Sequence, residues 1–188
     1  MIEKVLKYFP KKDKKLKILD ICTGSGCLAI SLAGEYRNSK ITATDISSQA
    51  LKVAQINANQ LCWDNEIQFV NCNLIKNIDT YDIIVSNPPY LSKLEYKKTT
   101  KEIQSFEPKI ALIGGIDGLK FYRNIANLLP EILSSTSVVF IEIGNNRAKE
   151  VMQIFKNKKI ECLELAKDIQ HLNRLLVLQK NKYKINVD

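Results

Sequence analysis

Five short runs rich in isoleucine and valine punctuate the chain: LKILDI (16 to 21), KITATDI (40 to 46), EIQFVN (66 to 71), YDIIVS (81 to 86) and SVVFIEI (137 to 143). Strands that are apolar on both faces must lie in a sheet covered on both sides, and the first three runs are separated by segments of helical period. CLAISLAGEY (27 to 36) predicts one helix. SSQALKVAQINANQLC (47 to 62) predicts another, with Ser47 or Ser48 as N-cap and Leu51, Ala54, Ala58 and Leu61 along its apolar stripe. Further helices are expected over 118 to 130 and 147 to 157, with a short one over 1 to 9. Strands joined in this way form a parallel sheet with right-handed crossovers. The tail breaks the rhythm: KIECLELA (159 to 166) and LNRLLVLQK (172 to 180) are too close for a crossover helix, so they are expected to pair antiparallel. The expectation is an α/β fold in one domain, with a leading helix and basic linker over 1–15, a core over 16–180 and a tail over 181–188.

Composition narrows the function classes. No apolar run approaches the roughly 18 residues of a membrane span, and the start, MIEKVLKYFPKKDKK, resembles neither a signal nor a transit peptide, so a cytoplasmic protein is expected. Five cysteines without a Cys-x-x-Cys pair, and a single histidine, His171, argue against a disulfide framework and against a metal site; all but Cys22, which sits in a glycine loop, are expected to be buried apolar thiols. The net charge of +8 invites a nucleic-acid partner, but only Arg37, Arg123, Arg147 and Arg174 among the 28 basic residues carry the guanidinium fork that phosphate and base contacts favour. Lysine runs such as KKDKK (11 to 15) read as solvated faces, and nucleic acid is not the favoured direct substrate.

After the first strand comes DICTGSGCLAISLA (20 to 33), a glycine turn opening a helix. Gly24 and Gly26 permit positive φ and close approach of a ligand, while the helix N-terminus offers unpaired amides. Asp45, at the end of the second strand, stands where a carboxylate accepts the hydroxyls of a ribose. Together they predict a nucleoside-containing cofactor. Gly24, Gly26 and Ala29 also satisfy G-x-G-x-x-G/A, so NAD competes on this motif alone. The antiparallel ending and the sequence after the fourth strand tilt against it.

That sequence is IVSNPPYL (84 to 91). Proline forces Asn87 out of the helical region, and Pro88 and Pro89 have no N–H. The Asn87 carboxamide oxygen and the Pro88 carbonyl can then face the crevice as two acceptors with no neighbouring donor. Such a pair would orient a planar NH2 group and enrich its nitrogen for in-line attack on an electrophilic methyl, by positioning and without a strong base. Tyr90 supplies an aromatic wall. This chemistry selects planar amides or exocyclic amines without naming the molecule.

DICTGSG, TDIS and IVSNPPY in this order resemble the class I S-adenosylmethionine-dependent methyltransferases. EIQSFEPKIALIGGIDGLKFYRNI (102 to 125) and FIEIG (140 to 144) are similar to the HemK/PrmC-type release factor glutamine methyltransferases, a resemblance spanning about residues 16 to 180. It implies a Rossmann-like sheet of seven strands, mostly parallel, with the last antiparallel and helices on both faces. The implied reaction moves a methyl from S-adenosylmethionine to the side-chain amide of the glutamine in the GGQ motif of peptide chain release factors. The implied cofactor residues are Cys22, Thr23, Gly24, Ser25 and Gly26 at the methionine end, Asp45 at the ribose, Asn73 and Leu74 at the adenine, and Asn87. Asn87, Pro88, Pro89 and Tyr90 hold the glutamine. Cys22 stands where many members have glycine, and Asn73 where the family usually has aspartate. The family's helical docking domain and its Arg-Pro-Glu-Thr-Glu connection are not in this sequence, which implies a catalytic domain whose docking domain or partner subunit is missing from this chain. Residues 91 to 109 are then expected to face the substrate. Competing readings are an amino-methyltransferase of DNA or RNA bases and an inactive cofactor-binding subunit. His171 is expected in a turn, and Glu142 is expected to face the cofactor pocket as a support.

Overall fold

The computed structural model describes residues 1–61 and 67–181. After α1 (Ile2–Tyr8), strand β1 (Lys17–Ile21) leads into α2 (Cys27–Glu35), β2 (Lys40–Asp45), α3 (Ser48–Leu61) and β3 (Ile67–Asn71). Next come β4 (Tyr81–Ser86), the short helices α4 (Lys93–Lys97), α5 (Lys101–Phe106) and α6 (Lys109–Leu112), and the longer α7 (Lys120–Ile132). Strand β5 (Leu133–Glu142), α8 (Ala148–Lys156), β6 (Ile160–Lys167) and β7 (Asn173–Lys180) complete the chain's described elements. The strands form one sheet in the order β3-β2-β1-β4-β5-β7-β6. Neighbours from β3 through β5 are parallel, and β7 runs antiparallel to both β5 and β6. The seven strands and the antiparallel hairpin agree with the sequence reading.

Period-two alternation divides the core between the faces of the sheet. Ile18 and Phe140 join Val5 of α1 and Leu32 of α2 on one face, whereas Leu19 and Ile141 pack against Tyr122 and Ile125 of α7 and Phe155 of α8 on the other. Each of these large side chains is fully buried, which stabilises the fold by about 1.5–3 kcal/mol apiece. Helix α1 is held down by Lys4, whose Nζ lies 2.5 Å from the Glu164 carboxylate of β6.

Several details depart from the sequence reading, among them Cys27 and Cys162, which are exposed where buried thiols were expected. Leu61 is 71% exposed instead of lying on the buried stripe of α3, which ends there; position 62 lies outside the described residues. Strand β5 begins at Leu133 rather than Ser137, because the polar stretch after it bonds to β4: Ser137 Oγ donates to the Tyr81 carbonyl at 2.6 Å. The expected helix over 118 to 130 runs from Lys120 to Ile132 and carries Pro130 in its last turn. Ser47 is the cap of α3, its Oγ accepting the Ala50 amide at 3.2 Å, and His171 sits in the β6–β7 turn with φ 61°.

Strand order reverses between β2-β1 and β4-β5, so a crevice opens beyond the carboxyl ends of β1 and β4. The glycine loop follows β1, and Asn87 follows β4.

Candidate active site

The glycine loop is organised around a carboxylate that the sequence reading quoted but did not single out. Asp20, fully buried at the end of β1, accepts the Thr23 hydroxyl at 2.6 Å and the Ala29 amide at 3.1 Å, both on Oδ2. One oxygen thus ties the loop to the first turn of α2. Its Oδ1 is buried without a hydrogen-bond partner among the described residues. Burial pushes the carboxyl up to about 7, against the lowering effect of the Thr23 and Ala29 hydrogen bonds.

Cys22 turns the chain with φ 61°, in the left-handed region where a glycine is unstrained. The resemblance places glycine at this position in many relatives, and the turn gives the physical reason. Gly24 (φ 58°) would present an added Cβ to open space, so a ligand can approach its backbone. Gly26 (φ 86°) is different: a Cβ there would come within 3.0 Å of Ala54, so this glycine lets α2 pack on α3.

Asp45 ends β2 with both oxygens engaged, Oδ2 by the Gly24 amide at 2.9 Å and Oδ1 by the Ser47 amide at 2.8 Å. Each retains acceptor capacity. A small cavity of about 40 Å³ brings Asp45 together with Cys22, Asn73, Leu74 and Pro89. Its lining also includes Ile46, Ile110 of α6 and Phe121 of α7, which the sequence reading did not assign. Leu74 adopts φ 67°, and its carbonyl accepts the Thr44 hydroxyl at 2.5 Å. Thr23, Gly24, Ser25 and Gly26 form the adjoining loop, while Asn87 and Tyr90 are not among the residues lining this cavity.

The NPPY segment is clamped from outside. Pro88 and Pro89 are buried, Asn87 is exposed and Tyr90 is half-buried. The Leu91 amide donates to the Leu112 carbonyl at 2.9 Å, and the Gly114 amide to the Leu91 carbonyl at 2.8 Å. A Cβ at Gly114 would lie 2.5 Å from the Pro89 carbonyl oxygen, and one at Gly118 2.4 Å from that of Tyr90. The GGxDG stretch therefore wraps the NPPY backbone at a distance only glycine permits. Beyond it, Ser92 and Glu95 form a capping box on α4, and Arg147 Nη2 donates to Glu95 Oε2 at 2.9 Å.

Glu142, expected to face the cofactor pocket, is half-buried at the end of β5, is not among the residues lining the cavity beside Asp45, and lies close to Tyr90 and Arg174. Burial pushes its carboxyl up and Arg174 opposes this. The Tyr90 phenol is also pushed up by burial, with Glu142 adding and Arg174 opposing. Among the described residues no group of three or more potential metal ligands occurs, and no helix is long and apolar enough to cross a membrane.

The fold and the crevice agree with a methyltransferase family. Residues 3–106 match the methyltransferase small domain family, and the chain belongs to that family. It is 34% identical over 181 residues to a release factor glutamine methyltransferase of Clostridium acetobutylicum, covering 94% of this chain and 63% of that protein. A release factor glutamine methyltransferase of Fusobacterium nucleatum is 39% identical over 166 residues, covering 87% of this chain and 47% of that protein. The chain thus spans about half to two-thirds of these relatives' lengths. A solved ribosomal protein L11 methylase from Lactobacillus delbrueckii subsp. bulgaricus shares the fold, with a TM-score of 0.67 at 18% identity over 94% of this chain and 76% of that one.

Proposed function

We propose that this chain transfers a methyl group from S-adenosylmethionine to the side-chain amide nitrogen of the glutamine in the GGQ motif of a peptide chain release factor. The observation that carries the reading is that Pro89 of the acceptor motif and Asp45 of the ribose-binding position line one cavity. The names of the two relatives support the substrate.

The residues present fit the cofactor. The open side of Gly24 leaves room for a ligand, Asp45 has lone pairs for ribose hydroxyls, and the orphaned Asp20 Oδ1 marks a loop with unused acceptor capacity near the methionine end. Cys22, Thr23, Ser25 and Gly26 would complete that end, with Asn73 and Leu74 at the adenine. An amide oxygen at Asn73 accepts the adenine amine without the charge assistance of an aspartate.

The bound cofactor supplies an electrophilic methyl on a sulfonium. Asn87 and Pro88 accept the two amide hydrogens, Pro89 keeps competing donors out, and Tyr90 walls the flat carboxamide. Nitrogen lone-pair density would thereby be aimed at the methyl; forming the N–C bond would break the S–C bond and leave a neutral thioether, and the proton on nitrogen would pass to water at the exposed Asn87. Recognition of the whole release factor requires a docking domain or partner subunit in addition to these residues.

The test is incubation with methyl-labelled S-adenosylmethionine and, in separate reactions, a release factor, ribosomal RNA and DNA. Label in the release factor is expected. Label on nucleic acid alone selects the base-methylating reading, and cofactor binding with no transfer to any acceptor, even with a docking domain added, selects the inactive one.

A further inference from the structure

Arg174, near the start of β7, reaches back across the sheet end. Its Nε donates to Asp168 Oδ2 at 3.2 Å and its Nη1 to the Ile143 carbonyl at 3.4 Å. Its own carbonyl accepts the Ile143 amide at 2.9 Å. Asp168 is anchored in turn, its Oδ1 accepting the Gln170 and Leu172 amides at 2.9 Å and 3.0 Å. The guanidinium is therefore fixed by the hairpin on one side and by β5 on the other.

The residue after Ile143 is the seat of the acceptor wall. An added Cβ at Gly144 would come within 3.0 Å of Tyr90 Cδ2 and 3.5 Å of its Cγ, so the ring lies directly on that backbone. Guanidinium and phenol thus lie over two consecutive residues, Ile143 and Gly144, and Arg174 is among the charges that act on the Tyr90 hydroxyl. Glu142 flanks both, and the Tyr122 hydroxyl donates to the Glu142 carbonyl at 3.1 Å.

We infer that Arg174, oriented by Asp168, is a positioning residue that fixes the Tyr90 ring as the wall of the acceptor pocket. The inference rests on reading NPPY as the acceptor site. A planar fork satisfies Asp168 and the Ile143 carbonyl together beside the phenol, whereas the point charge of lysine cannot span both. A ring seated on Gly144, with Arg174 holding the neighbouring Ile143 carbonyl, is confined in orientation, and misplacement of an acceptor by about 1 Å costs up to about a hundredfold in rate.

Two measurements on the full chain test this. With 13C at the tyrosine ζ carbon, the Tyr90 resonance is assigned by its loss in Tyr90→Phe and titrated in wild type and Arg174→Gln; its midpoint is expected to rise in the variant. In methyl transfer to a glutamine acceptor, Arg174→Lys and Tyr90→Phe are each expected to lower kcat/KM for the acceptor about tenfold with cofactor Kd unchanged. The double variant is expected to be no worse than the poorer single one. A Tyr90 midpoint indifferent to Arg174→Gln, or multiplied effects in the double variant, overturns the inference, since an arginine that merely braces the hairpin would produce either. Failure of the wild type to methylate glutamine would overturn the proposed function, and the tyrosine titration would still decide whether Arg174 holds Tyr90.

Discussion

The Gly24 amide donates to the Asp45 carboxylate across 2.9 Å, so the acid proposed to bind the ribose and the glycine loop form one hydrogen-bonded unit. Since Asp45 Oδ1 also accepts the Ser47 amide, an asparagine there must turn its NH2 toward one of two backbone donors. The mismatch costs about 1–3 kcal/mol, or roughly tenfold to a hundredfold in affinity. Asp45→Asn is expected to weaken S-adenosylmethionine binding by that factor in calorimetry.

Asp20 predicts a pH dependence of stability. Its carboxyl stands at about 7 in the folded chain against an ordinary value of 3.8. Between these values the folded form keeps a proton that the unfolded chain releases. The stability this group contributes is therefore fully present below about pH 4 and is lost as pH rises to about 7, at up to about 1.4 kcal/mol per pH unit. Urea unfolding at a series of pH values should show this decline in wild type and a flatter profile in Asp20→Asn. An unchanged slope in the variant would assign the decline to other groups.

Cys22 should tolerate glycine and reject a β-branched residue. Glycine relieves the left-handed strain and forfeits a small buried side chain, so Cys22→Gly is expected within about 1 kcal/mol of wild type, whereas Cys22→Val is expected to lose about 2 kcal/mol or more. Burial pushes the Cys22 thiol up to about 12, with Asp45 and Asp20 adding, so it should resist alkylation at neutral pH while exposed Cys27 reacts. Peptide mass spectrometry reads both.

Two glycines provide an internal contrast. Gly118→Ala would drive a Cβ to 2.4 Å from the Tyr90 carbonyl oxygen; a loss of about 2–4 kcal/mol and impaired methyl transfer are expected. Gly34, inside α2, has nothing within 4 Å of an added Cβ, so Gly34→Ala is expected to stabilise by about 0.5–1 kcal/mol. Thermal melts of the two variants should move in opposite directions.

Features that repeat locally were legible in the sequence. The YDIIVS strand over 81 to 86 appears with those bounds because a continuous apolar run, buried on both faces, leads up to a proline pair that ends it. The antiparallel hairpin followed from a connection too short for a helix. What was hidden depends on partners distant in sequence. Nothing around Leu133 signals a strand until Tyr81 pairs with it. The stripe of α3 extrapolates to Leu61, yet that residue, the last of the helix, is left exposed. Asp20 was visible as an acid in an apolar run, a signal for a buried functional carboxylate. The seating of Tyr90 on Gly144 beside Arg174 joins three separate stretches of chain and had no local signature. Helices α4 and α5 announce themselves through Ser92 and Thr100 as side-chain caps, but their residues lack the long apolar period that marks the other helices.

The central claim is that Asn87 presents the acceptor nitrogen to the methyl. Its most direct test is site-resolved mass spectrometry of a release factor's GGQ peptide after incubation with S-adenosylmethionine and either wild type or Asn87→Ala, each first shown to bind the cofactor. The account predicts one added methyl on the glutamine side chain with wild type, and transfer slowed by about a hundredfold or more with Asn87→Ala. Equal methylation by both proteins, or a methyl on another residue, would contradict it.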